Sequence, residues 1–171
     1  MQFEARIEPL EGKLPKAAYR WDPETDILTV TCPSHGKGKG MTGTVDLEGA
    51  DGAFVVVDVA DGAFRGLDVV NWPEDVPMVA TLTPPADAEV GRLTFPARRS
   101  QPGVAAVEVD TALAIEKNPT ESVFLIRVGR VRPARPVRIA DHLVVEIDRH
   151  NRVAGLWLEN VPPFPNVESG A

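Results

Sequence analysis

One phrase occurs twice in this chain, and that repetition constrains the fold more than any other feature. Phe54-Val-Val-Val-Asp58, a turn, and Arg65-Gly-Leu-Asp-Val-Val-Asn-Trp-Pro73 are echoed by Leu143-Val-Val-Glu-Ile-Asp148, a turn, and Ala154-Gly-Leu-Trp-Leu-Glu-Asn-Val-Pro162. Setting Gly66 on Gly155 also pairs Val55 with Val144, Val56 with Val145, Leu67 with Leu156, Asn71 with Asn160 and Pro73 with Pro162. These are six identities over residues 55–73, where average residue usage gives roughly one. The repeat extends upstream. Trp21-Asp-Pro-Glu-Thr-Asp-Ile-Leu-Thr-Val30 opens one copy and Lys117-Asn-Pro-Thr-Glu-Ser-Val-Phe-Leu-Ile126 opens the other. An internal repeat sets architecture before any other argument and leaves the chemistry open.

The apolar pattern is short and strand-like. Candidate strands cover residues 4–9, 17–21, 27–32, 42–47, 54–59, 63–70, 78–83, 91–95, 104–109, 113–117, 123–128, 136–139, 143–147 and 153–159. Sixteen Pro and fourteen Gly favour many short elements over long helices. The best helical candidate, residues 107–117, is rich in Val and Ala, lacks a 3.6-residue stripe and reads as strand. Asp22-Pro23 and Asn118-Pro119 start turns, while Asp61-Gly62 and His150-Asn151 supply residues for tight hairpins. Leu67 and Val69 match Leu156 and Leu158, so that face of the last strand is assigned to the core. Asp68 and Trp157 fall on the alternate face, which is assigned to the surface. The expected fold is all-β: two tandem pseudo-symmetric antiparallel repeats packed as one globular unit. Residues 1–98 hold the first repeat with its tail strands and residues 99–171 the second. A unit of about 55–60 residues is marginal alone, so two copies complete one core.

These segments resemble the small bacterial domain-of-unknown-function family 2283, whose signature is Tyr-Asp-Pro-x-x-Asp-x-Leu-Tyr-Ile followed by a Val-Val-x-Asp…Gly-x-x-x-Gly-Ile-Glu-Ile hairpin. The first copy matches through Asp22, Pro23, Asp26, Leu28, Asp58, Gly62 and Gly66. The second matches through Pro119, Val144, Val145, Asp148, Gly155 and Leu156. Trp21 stands where Tyr is usual, Asn118 and Ser122 replace the two Asp, Asn151 replaces a Gly, and Asp68 and Trp157 replace Glu. Family members usually carry one unit, so the resemblance implies a fused pair. It covers neither residues 1–16 nor 78–101, and it implies a fold without an activity.

A net charge of −7 argues against a surface built for nucleic acid or anionic lipid. No stretch approaches the roughly 18 apolar residues of a membrane span. The N-terminus lacks a signal pattern and the lone Cys32 has no internal disulfide partner, which fits a cytoplasmic protein. Against this acidic background two loops at the same repeat position are basic. One is Cys32-Pro-Ser-His-Gly-Lys-Gly-Lys-Gly-Met-Thr-Gly43, which lacks the Gly-Lys-Ser/Thr ending of a P-loop. The other is Gly129-Arg-Val-Arg-Pro-Ala-Arg-Pro136, flanked by Arg127 and Arg138. Lys37, Lys39, Arg130, Arg132 and Arg135 are the candidate anion contacts, set against pairing of these Arg with local Asp and Glu.

Cys32 and His35 have the spacing of half a zinc site, with His142 and His150 as the remaining imidazoles. Asp22, Asp26, Asp58 and Asp61 recur as acids, and turns explain Asp22 and Asp61. Trp21, Trp72 and Trp157 read as core or interface residues. No nucleophile elbow or dinucleotide fingerprint is present, and no cofactor is called for. The leading reading is a non-enzymatic module for a protein partner or a small anion, with homo-oligomerisation open. The alternatives are a small enzyme holding an anionic substrate at the basic loops and a metal-binding protein using Cys32 and His35.

Overall fold

Short alternating apolar runs broken by Gly, Pro and Asx turns produce strands and, among the described residues, no helix. The computed structural model describes residues 3–33, 40–96 and 104–165, excepting the side chains of residues 104–108 and 110. The strands are β1 (Arg6–Glu8), β2 (Ala18–Trp21), β3 (Leu28–Thr31), β4 (Thr42–Glu48), β5 (Phe54–Ala60), β6 (Ala63–Asn71), β7 (Glu89–Val90), β8 (Arg92–Thr94), β9 (Val104–Asp110), β10 (Leu113–Lys117), β11 (Phe124–Val128), β12 (Ala134–Ala140), β13 (Leu143–Asp148) and β14 (Val153–Leu158). The protein is all-β.

One sheet runs β2-β3-β6-β5-β4-β9, with β8 and then β1 attached at the hairpin end of β6. The other runs β10-β11-β14-β13-β12-β7. The two orders correspond place by place. Gly66 opposes Thr31 across one sheet as Gly155 opposes Arg127 across the other. Both sheets are antiparallel except at their margins. β9 pairs with β4 in parallel, and β7 pairs with β12 in parallel. These two strands also cross the division expected at residues 98 and 99. β7 precedes that point yet extends the second sheet, and β9 follows it yet extends the first.

The register corrects the alignment of the repeated phrase. Val57 opposes Leu67, and Val145 opposes Leu156. Val57 therefore corresponds to Val145, Val56 to Val144 and Asp58 to Glu146. The ungapped alignment is one residue off on this strand, and Asp58 does not correspond to Asp148. The cause is the turn. β5 and β6 are joined by Asp61-Gly62, both at positive φ, the two-residue turn that twists with its strands. Between β13 and β14, Asp148 N donates to Arg152 O and closes a three-residue turn of Arg149, His150 and Asn151, with the positive φ at Asn151. Both hairpins then carry a register shift one residue before the shared glycine. Gly66 has a φ of +151° there, and a Cβ on it would stand 2.1 Å from the Val30 carbonyl oxygen.

Inner faces of both sheets supply a single cluster of buried side chains. Leu67 and Val69 are 2% and 0% exposed, and Leu156 and Leu158 are 1% and 0% exposed, as period-2 alternation requires. Backbone straps tie the sheets further: Ala5 N donates to Asn151 O at 2.9 Å and Asp141 N to Pro15 O at 2.8 Å. The strand expected over residues 78–83 is not formed. Met78 makes one bridge to Lys117, and Val79–Leu82 closes a turn. Pro77, Pro84 and Pro85 bracket the segment and donate no backbone hydrogen bond. It instead covers the outer face of the second sheet, where Leu82 and Ala88 pack on Trp157, Leu125 and Val144. Trp157 is therefore buried, which corrects its assignment to the surface; Asp68 on the first sheet stays half-exposed.

Leu156→Ala is expected to cost about 3 kcal/mol in urea unfolding, the range for truncation of a buried leucine. Gly66→Ala should destabilise more than Gly155→Ala. The latter's added Cβ meets nothing closer than 3.3 Å and its φ is not in the positive range.

Candidate functional site

The second basic loop is held by its own arginines. Arg132 Nε donates to Asp148 Oδ2 at 2.8 Å, Nη1 to the Val128 and Arg130 carbonyls at 2.8 Å each, and Nη2 to the Val153 carbonyl at 3.1 Å. Four of its five N–H groups are used within the protein. Arg127 pairs with Glu116 at 2.7 Å, Arg138 with Glu159 at 2.8 Å and Arg135 with Glu89 at 3.7 Å. Arg132 is thus a brace for the loop and not a fork offered to an outside anion. Arg135 is exposed and loosely paired, and Arg130 is exposed. Lys37, Lys39 and His35 lie outside the described residues.

Asp148 is the centre of this brace. Its Oδ1 accepts from the His150 and Arg152 backbone N–H groups at 2.8 and 3.0 Å, closing the β13–β14 turn, while Oδ2 holds Arg132. Burial alone would raise its carboxyl pKa. The Arg132 hydrogen bond and the two backbone donors outweigh that and hold it below the ordinary carboxylate value.

Among the described residues no group of three His, Cys, Asp or Glu side chains gathers as a metal site. His142 and His150 sit in the turns at opposite ends of β13. The Asp22 carboxylate accepts from Glu24 N at 3.0 Å, and Asp61 takes the positive-φ hairpin position, so both serve turns.

A cleft of about 450 Å³ lies where the two sheets and the N-terminal strap meet. Phe64 of β6, Leu93 of β8 and Ile139 of β12 give it apolar walls from both sheets. Leu10, Leu14 and Pro15 close it from the strap, which is anchored to the second sheet at Asp141. Cys32 also lines it, 4% exposed, with its thiol pushed up to about 11 by burial. Lys13, Arg92 and Glu11 supply the charge. Lys13 and Arg92 form no ion pair among the described residues, and Arg92 Nε is buried without a hydrogen-bond partner. Lys13 and Arg92 lie in the segments outside the repeats, where the sequence offers no signal that they meet.

No family model matches the chain, and no curated protein matches it. Among the described residues no helix is long and apolar enough to cross a membrane.

Asp148→Asn is expected to lower stability by roughly 2–4 kcal/mol at neutral pH, since it leaves Arg132 without its carboxylate. A depressed carboxyl contributes stability above its unfolded-state pKa and loses it as pH falls through the folded value. The gap in Tm between the parent protein and Asp148→Asn should therefore be full at neutral pH and close progressively below about pH 4. A gap independent of pH would show that Asp148 acts through shape alone.

Proposed function

We propose that this protein is a non-enzymatic binding module that takes a small amphipathic anion into the cleft between its sheets. The observation that carries this reading is a pair of cations, Lys13 and Arg92, which form no ion pair among the described residues and which, with Glu11, are the charged groups of a cleft whose walls are otherwise mainly apolar. Two cations against the single carboxylate of Glu11 leave the cleft positive on balance, which favours an arriving carboxylate or phosphate. The apolar walls favour a hydrocarbon body attached to it. Burial pushes the Cys32 thiol up to about 11, which disfavours its thiolate.

The basic-loop residues fit this function less well than the cleft does. Arg132 is committed to Asp148, and its neighbours Arg127 and Arg138 are paired. We also infer that the chain descends from a fused pair of units of the kind found in family 2283. Support comes from the common strand order of the sheets and from register shifts at corresponding places in the two hairpins.

Calorimetric titration with decanoate, and with decanol as the uncharged control, tests the reading. Decanoate is expected to bind at least tenfold more tightly than decanol. Arg92→Gln should remove about 10- to 100-fold of the decanoate affinity, the worth of a charge-assisted hydrogen bond. Equal binding of acid and alcohol, or no binding of either, would overturn it.

A further inference from the structure

A second cleft, of about 220 Å³, opens elsewhere on the seam between the sheets. It is small for a drug-sized ligand and suits a single head group. Its walls are aromatic. Trp21 at the end of β2 stacks on Trp72 just beyond β6, with centroids 5.6 Å apart and planes at 26°. Phe164 meets Trp21 edge-on at 5.3 Å and 81°, and Phe124 of β11 lies 5.4 Å from Trp72 at 53°. Phe124 is buried, so the accessible ring surface comes from the half-buried Trp21 and Trp72 and the exposed Phe164, whose plane is turned 81° from that of Trp21.

Both indoles are fixed by their N–H groups. Trp21 Nε1 donates to the Pro162 carbonyl and Trp72 Nε1 to the Asp26 carbonyl, each at 2.8 Å. The ring geometry therefore exists before any ligand arrives, which removes part of the ordering cost of binding.

Charge at the cleft is acidic on balance. Asp26, Glu121 and Lys117 line it, and Lys117 is engaged with Glu121 at 3.2 Å. Asp26 is exposed and forms no ion pair among the described residues. An aromatic corner beside an unpaired carboxylate attracts a cation through ring quadrupoles and charge together. A methylated ammonium fits best, because it is weakly hydrated and its methyl groups contact rings favourably. A primary ammonium would lose more hydration on entering.

We propose that this cleft binds a methylated ammonium group. The site is independent of the anion cleft and of the reading placed on it. The test is a titration followed through the indole N–H resonances, with choline as ligand and 3,3-dimethyl-1-butanol as its uncharged isostere. Choline is expected to shift the Trp21 and Trp72 signals and leave Trp157 unmoved, since Trp157 lies in a different cluster. The alcohol should bind roughly fivefold to thirtyfold more weakly, the range that cation–π contacts allow. Asp26→Asn keeps a residue that tolerates the φ of +62° at this position, and should weaken choline severalfold without moving the alcohol. Equal affinity for choline and the alcohol would reduce the cleft to an apolar hollow. No shift of Trp21 and Trp72 at tens of millimolar choline, or an equal shift of all three indoles, would overturn the proposal.

Discussion

Burial of the two inner sheet faces against each other is the interaction on which the rest of this structure depends. A five-strand unit of this size covers only one side of its sheet, and a small unit alone buries too little surface to offset its chain entropy. Here Leu67 and Val69 from one sheet and Leu156 and Leu158 from the other enter one continuous cluster, so each half supplies the other's missing layer. The parallel edge strands strengthen the dependence. Because β7 and β9 each extend the sheet built mainly by the other half, separating the halves would break backbone ladders as well as apolar contacts.

That arrangement also decides where ligands can be held. Two sheets packed face to face meet imperfectly along their seam, and clefts remain where strap and loop residues span it. One is walled by Phe64, Leu93 and Ile139 and holds Lys13 and Arg92; the other is walled by Trp21, Trp72 and Phe124 and holds Asp26; none of these three charged groups forms an ion pair among the described residues. Charge of opposite sign at the two places is what separates the two proposed ligand chemistries.

Positive charge is distributed by the same tertiary logic. Five arginines within residues 127–138 read as an anion patch when only neighbours in sequence are considered. In the fold, Glu116, Glu159 and Asp148 arrive from other strands and turns and meet Arg127, Arg138 and Arg132. Arg132 then becomes the link between its loop and the β13–β14 turn. The cations left without ion pairs in the cleft, Lys13 and Arg92, stand isolated in sequence and carry no motif.

The sequence by itself determined the all-β class, most of the strands and the core face. All three follow from local rules: period-2 alternation and turn chemistry. It misplaced residues 78–83 because apolar content alone does not distinguish a strand from a cover, and the flanking prolines decide for the cover. It slipped one residue on β5 against β13 because an extra turn residue is invisible to an ungapped match. Only the tertiary structure decided the exchange of β7 and β9, the burial of Trp157, the pairing of the arginines and the location of both clefts. Each of these depends on contacts between segments far apart in the chain, and no local pattern encodes which distant surface a side chain will meet.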